Sequence, residues 1–229
     1  MLDEAPLLTI RRRIERPAAD LVRGFEGLQA AVVSDAMGCS GGMDYRISPL
    51  PGLPETFCGV AVTCDCGPGD NLAAGAASLL VEEGDVLVTA TGGFTGTGVI
   101  GDIMIGILKN RGAAAFVTDG VVRDLADLRR IGLPVFAKGV IPTSVHRSGP
   151  GTVGLPIVCG GIAVSSGDIV IGDPDGVVVV PRMIAAAVLE RSLAMREQER
   201  AAVEKVRAGL REPAAGAAAM ADPRVAFVD

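Results

Sequence analysis

Three side chains near the middle of this 229-residue chain are of the types that act on a small acid: Asp102, Arg123 and Asp124. Asp102 follows the glycine-rich run from Gly92 to Gly101, and Arg123-Asp124 close the turn Asp119-Gly120-Val121-Val122. Both turns follow apolar runs with strand character. Two carboxylates and one guanidinium are therefore delivered from neighbouring strand ends, where an open α/β sheet builds a site for a metal and a small acid. The glycines put little bulk in front of a helix expected to begin at Asp102, so the N–H groups of Ile103 and Met104 beside Gly101 are free to receive a carboxylate. Arg123 offers that anion a bidentate partner. A plainer reading stands beside this one, in which Arg123 pairs with a surface acid and Asp124 caps the next helix.

The supply of metal ligands narrows the chemistry. His146 is the single histidine, so a multi-histidine site within one chain is excluded, and carboxylate oxygens favour Mg²⁺ or Mn²⁺. Asp124 is the candidate direct ligand, with Asp102 holding a metal-bound water; His146 itself reads as a surface or loop histidine. Gly96-Thr97-Gly98-Val99-Ile100-Gly101 formally matches the dinucleotide fingerprint. Its first glycine does not sit at the strand end, however, and Asp119 runs straight into a turn, so no nucleotide cofactor is expected. Asn71 reads first as the N-cap of a helix and second as a substrate contact.

The elements that must position these residues follow from the hydrophobic pattern. A helix is predicted over 18–38, then strand 57–66, helix 71–83, strand 85–91, helix 102–111, strand 113–118, a short helix 124–130 and strand 134–138. That alternation is the mark of an α/β sheet with parallel pairing. From 152 to 181 short apolar runs separated by turns predict β-hairpins, and one long helix over 183–210 precedes an Ala-rich tail. In that helix Ile184, Val188, Met195, Ala202, Val206 and Leu210 share one stripe, and Glu199 lies inside it. Glu199 either reaches the rim of the packing surface or meets a cationic site on a neighbouring subunit.

Composition sets the outer bounds. Hydrophobic residues make up 49% of the chain, enough for a core built on aliphatic residues, since aromatics are only 3%. The formal charge of −6 disfavours nucleic acid and gives no attraction to membranes; the one basic run, Arg11-Arg12-Arg13, reads as a solvated helix face. Five cysteines, mostly in apolar segments, argue against a disulfide framework, and Cys64 with Cys66 reads as core packing. No signal-peptide pattern and no spanning apolar stretch is seen, so a cytoplasmic location is expected.

The runs Gly69-Asp70-Asn71-Leu72, Gly101-Asp102, Asp119-Gly120-Val121-Val122-Arg123-Asp124, Pro134 to Gly139 and Gly172-Asp173-Pro174-Asp175-Gly176-Val177 resemble the 4-hydroxy-4-methyl-2-oxoglutarate/4-carboxy-4-hydroxy-2-oxoadipate aldolases. That family shares its fold with the RraA-type regulators of ribonuclease E, and the likeness covers roughly residues 25–182. It implies an α/β fold of the swivelling, phosphohistidine-domain-like β/β/α kind, with a catalytic domain over 1–182 and a C-terminal helix and tail over 183–229 packing on a neighbouring subunit. It further implies a class II pyruvate aldolase, forming homotrimers or homohexamers and depending on a divalent metal, with oxaloacetate decarboxylation as a side activity. On that resemblance Asp124 is the direct metal ligand and Arg123 the substrate-binding guanidinium. Asp102 and a neighbour's Glu199 act through metal-bound water, and Gly101, Ile103, Met104 and Asn71 lie against substrate. The competing expectation is a non-enzymatic regulator that binds ribonuclease E. Those regulators, as the resemblance has it, tend to lack the acid after the glycine turn and the long C-terminal helix, whereas this chain has Asp102 and Glu199.

Overall fold

The computed structural model describes residues 6–228. In chain order the elements are β1 (Leu8–Ile10), α1 (Ala19–Gly24), α2 (Ala30–Ala36), β2 (Ser48–Pro49), β3 (Phe57–Asp65), α3 (Leu72–Ser78), β4 (Asp85–Ala90), α4 (Asp102–Asn110), β5 (Ala115–Thr118), α5 (Leu125–Ile131) and β6 (Val135–Ala137). The strands β7 (Gly151–Val153), β8 (Ile157–Cys159), β9 (Ile162–Val164), β10 (Ile169–Asp173) and β11 (Gly176–Val180) follow, and then α6 (Ala185–Arg207) and α7 (Ala214–Met220). By its contacts the chain divides into one unit up to Ser192 and another from Leu193 onward.

The first unit is built on a nine-stranded sheet: seven strands lie in the order β1-β7-β3-β4-β5-β6-β2, and the β10–β11 pair branches from β3. Strands β3 to β6 run parallel, as the predicted strand–helix alternation requires. Strand β3 is long enough to share one edge between two partners: its first residues pair antiparallel with β10 and its last with β7. Because both faces of β3 and β4 are covered, their sequences read as near-continuous apolar runs with no polar side. On one face α3, α4 and α5 seal a layer that includes Val62, Leu87, Ile105, Phe116 and Leu128. On the other, the β8–β9 hairpin covers Val88, Val117 and Phe136, with Phe57 and Phe136 meeting edge to face at 5.0 Å. A third apolar layer joins α1, α2 and the start of α6 to the β10–β11 hairpin through Phe25, Val33, Ile169, Val180 and Val188.

The predicted hairpins over 152–181 are present as β8–β9 and β10–β11, both antiparallel. The single helix predicted over 18–38 is instead two short ones, because Gly27 takes φ +72 and turns the chain between Phe25 and Leu28, both buried. Helix α3 stops at Ser78 rather than 83, and Arg11-Arg12-Arg13 lies in exposed chain without helix. All five cysteines are free, and Cys64 and Cys66 are both buried in the helix-side layer, as core packing requires.

The second unit continues α6 to Arg207 and adds α7, which begins after Pro213 in the Ala-rich tail. Neither helix buries a residue beyond Ser192. Of the expected stripe, Val188 is buried, whereas Met195, Val206 and Leu210 are exposed, and Glu199 is exposed with them. No helix among the described residues is long and apolar enough to cross a membrane.

Candidate active site

Helix α4 starts where the glycine turn ends. Gly101 is its N-cap residue, in extended conformation and with no side chain to cap, so the first-turn N–H groups depend on other partners. The Asp102 N–H donates to Asp124 Oδ2 at 3.4 Å, and among the described residues no acceptor takes the N–H of Ile103 or Met104. Two free donors at the positive end of a nine-residue helix thus face out beside the carboxylate of Asp102.

Arg123 and Asp124 come to this helix end because the chain before them is laced in place. Val99 N–H donates to the Val121 carbonyl and Arg123 N–H to the Ile100 carbonyl, tying the glycine turn to the Arg-Asp turn. Asp124 then takes the left-handed conformation, φ +64, which costs a non-glycine residue about 1 kcal/mol and is best tolerated by Asp and Asn. It occupies the N-cap position of α5, yet its side chain makes no capping bond. The carboxylate turns the other way, accepting from Asp102 N–H and standing 3.1 Å from Arg123 Nε. The plain capping reading of Asp124 is therefore wrong. Both side chains of the Arg123–Asp124 pair are about a third exposed, so the pair adds under about 1 kcal/mol to stability. Its consequence is geometric: it fixes where a carboxylate and a guanidinium sit. Gly101 is part of that arrangement, since a Cβ there would collide with Asp124 Oδ2 and press on Arg123 Nε at 3.0 Å.

A cavity of about 170 Å³ opens at this point, with Gly101, Asp102, Ile103, Met104 and Arg123 among its walls. Asn71 lines it too, but not as the helix cap expected from its position. Its Nδ2 donates to the Val99 carbonyl at 2.8 Å, bracing the glycine turn, and no side-chain capping bond is made. Asp70 does the local work instead, accepting from Leu72 N–H at 2.8 Å and from Ser148 N–H at 2.5 Å. Burial pushes the Asp70 carboxyl up, but the N–H groups of Ser148, Leu72 and Gly149 and the nearby His146 outweigh it and hold the group below its ordinary value. His146 is exposed and lies outside the walls of the cavity.

The remaining wall comes from a strap, residues 139–148, of which the sequence marked only Gly139 and His146. It is sewn to the turns by Val122 N–H to Gly139 O, Ile141 N–H to Val122 O, Gly98 N–H to Thr143 O, and reciprocal bonds joining His146 to Gly69 and Asn71. Val145 and Arg147 on this strap complete the cavity. Nothing in the local sequence marks Arg147, because only the pairing of its neighbours with Gly69, Asp70 and Asn71 brings it here.

Asp119, which a dinucleotide site would leave free for a ribose, is buried and fully engaged. It accepts from Thr91 N–H at 2.7 Å, Thr91 Oγ1 at 3.0 Å and Gly93 N–H at 3.0 Å. The loop amides at the end of β4 are thereby taken by the protein's own carboxylate.

The donors present suit a hard cation. Asp124 and Asp102 offer oxygen only, and no group of three or more His, Cys, Asp or Glu side chains gathers anywhere among the described residues. Two carboxylates could hold a hard cation such as Mg²⁺ or Mn²⁺, which keeps most of its ligands as water.

With this geometry in view, residues 30–179 match the family model described as Aldolase/RraA, RraA-like. The chain belongs to that family. A protein of Halalkalibacterium halodurans named "Putative 4-hydroxy-4-methyl-2-oxoglutarate aldolase" is 32% identical over 173 residues, covering 76% of this chain and 82% of its own length. An uncharacterized protein from Pseudomonas syringae pv. tomato aligns in three dimensions with TM-score 0.76 and 29% identity, over 87% of this chain and 93% of that one. Streptomyces coelicolor RraAS2, described as an unusual member of the RNase ES inhibitor RraA protein family, gives TM-score 0.74 and 27% identity over 83% of this chain and all of its own. The RraA-like fold expected from the sequence is thus the fold observed.

Proposed function

We propose that this protein is a class II pyruvate aldolase, dependent on a divalent metal, that cleaves 4-hydroxy-4-methyl-2-oxoglutarate or 4-carboxy-4-hydroxy-2-oxoadipate. The observation that carries this reading is that Arg123, Asp102 and the start of α4 with its free N–H groups line one small cavity, while the Asp124 carboxylate stands directly against two of them, 3.1 Å from Arg123 Nε and accepting from Asp102 N–H. A Mg²⁺ or Mn²⁺ ion held by Asp124, with Asp102 reaching it through water, would polarise the 2-oxo group of the substrate.

The residues of the chain supply the rest. The substrate carboxylate is received by the N–H groups of Ile103 and Met104 at the positive end of α4. Cleavage breaks the C3–C4 bond: the C4 hydroxyl gives its proton to a water held by Asp102 and becomes a carbonyl, the electron pair moves onto the pyruvyl half as an enolate, and the same water can return the proton to C3. Arg123 faces that developing charge, and a guanidinium already fixed by Asp124 needs no reorganisation to stabilise it. Protonation at C3 then yields pyruvate. Loss of carbon dioxide from oxaloacetate leaves the same enolate, so oxaloacetate decarboxylation is the natural side activity. In this reading copies of the chain assemble as trimers or hexamers in the cytoplasm, and Glu199 of a neighbouring copy completes the site.

The test is pyruvate release from both hydroxy-oxo acids and from oxaloacetate, in chelator-stripped and metal-restored protein. Chelation should abolish activity, Mg²⁺ or Mn²⁺ should restore it, and Asp124→Ala should remain inactive at any practical metal concentration. Full turnover in the stripped sample would sink the metal role. No pyruvate from any of the three acids would turn the reading to a ribonuclease-binding regulator, the role the RraAS2 description gives its own family.

A further inference from the structure

The segment Val99-Ile100-Gly101 is the piece of backbone on which the proposed site is hung. Val99 N–H donates to the Val121 carbonyl and the Ile100 carbonyl accepts from Arg123 N–H, so the segment sets the chain that carries Arg123 and Asp124. Gly101 caps α4, so the same segment also sets the free N–H groups of the first helical turn. These ties are backbone bonds, which no side chain controls. The exception is Asn71. Its Nδ2 donates to the Val99 carbonyl at 2.8 Å, and among the described residues no other side chain hydrogen-bonds to the segment. The Val99 peptide is thus gripped from both sides, at its carbonyl by Asn71 and at its N–H by Val121. Asn71 is buried and its side chain does not cap α3, so this bracing bond is what its amide is spent on. The sense of the bond matters: toward Val99 the amide is a donor, a task that a carboxylate of the same shape cannot perform.

We propose that Asn71 is a positioning residue for the reaction: through Val99 it holds Arg123 and the start of α4 in register, without itself acting on the substrate. The proposal rests on the reading of the cavity as a 2-oxo acid site. It departs from the expectation that Asn71 lies against substrate, because the bonded end of the amide is turned to the protein's own backbone. Without that bond the segment shifts, and the guanidinium and the helix N–H groups shift with it. Both serve the pyruvyl half. Cleavage of a 4-hydroxy-2-oxo acid and decarboxylation of oxaloacetate share that half and its enolate, but only the first substrate carries an alcohol at C4. A positioning role therefore affects both reactions alike, whereas a contact to the departing half affects one.

The test compares the parent with Asn71→Ala and Asn71→Asp in both reactions, with Mg²⁺ present. Asn71→Asp keeps the shape and removes the donor. At neutral pH each variant should lower kcat by about tenfold or more, and by the same factor for 4-hydroxy-4-methyl-2-oxoglutarate and oxaloacetate, the scale of a slight misplacement within a site. The introduced carboxyl donates to the Val99 carbonyl only when protonated, and burial raises its pKa. The activity of Asn71→Asp relative to the parent should therefore rise as pH falls from about 7 toward about 5, while that of Asn71→Ala stays flat. A readout without substrate accompanies these. Amide hydrogen exchange at Val99 and Arg123 should quicken in both variants, with the N–H groups of β3 to β5 protected as in the parent. The proposal is overturned by a loss confined to the hydroxy acid, by an Asn71→Asp protein as active as the parent at neutral pH or equally impaired at every pH, or by exchange that is unchanged or quickened equally through the sheet. A parent that releases pyruvate from neither acid is a different failure, that of the 2-oxo acid reading, and it takes the proposal with it.

Discussion

Gly101 shows how strictly single positions are set. Its backbone is extended, so alanine could adopt the conformation without strain, and the obstacle is the Cβ alone. That carbon would displace the Asp124 carboxylate and crowd Arg123, two groups whose placement the proposed site depends on. Gly101→Ala should therefore lower kcat/KM by about 10²-fold or more, the usual scale for a displacement near 1 Å, with the thermal midpoint moving by only a few degrees. Steady-state kinetics beside a thermal melt tests this, and unchanged kinetics would mean the carboxylate can move aside without consequence. Asp124 is constrained from the other side. Its left-handed backbone suits Asp or Asn, and only Asp brings a negative charge, so conformation and chemistry select the same residue.

At the scale of elements, the joint between α3 and the strap depends on Asp70. Its carboxyl is held below the ordinary value of 3.8, so the folded state binds the proton less readily than the unfolded chain. The stability this contributes is complete above the unfolded value and is lost as pH falls through the lower folded one. Urea unfolding followed downward from pH 3.8 should show a steeper loss in the parent than in Asp70→Asn; equal slopes would mean the carboxylate is not the tie. The same joint marks the limit of what the sequence discloses. Asp102, Arg123 and Asp124 are legible because glycine turns frame them at strand ends, and β3 to β6 because their apolar runs alternate with helices. Asn71 bonding to Val99, and Arg147 joining the cavity, depend on pairings between distant segments that leave no local pattern. Strands β1, β2 and β7, of two or three residues, are likewise fixed by register alone. The split of 18–38 into two helices escaped because the apolar period runs on through Leu21, Phe25, Leu28, Val32 and Ala36, and Gly27 overrides it.

At the scale of the molecule, the place of Glu199 is tested by where the chain is cut. Ala185, Val188 and Ser192 are buried in the first unit, so truncation before α6 would damage that core and confuse assembly with folding. A chain ending at Ser192 keeps all three. Sedimentation and turnover should then show weakened assembly and lost activity together, whereas Glu199→Ala should lose activity with the oligomer intact. A truncated protein that stays assembled and fully active would exclude the C-terminal segment from the site. The shared edge of β3 has a consequence of another kind, for the chain as it is made. Its partners lie at 85–90, 151–153 and 169–172, so β3 leaves the ribosome long before its outer edge can be covered. At typical rates of synthesis the wait from β3 to β10 is on the order of ten seconds. For that interval Phe57–Asp65, an apolar strand with one edge open, is a segment ready to pair with the same segment of another nascent chain. The strand that finally joins the whole sheet is thus a liability in the newborn protein.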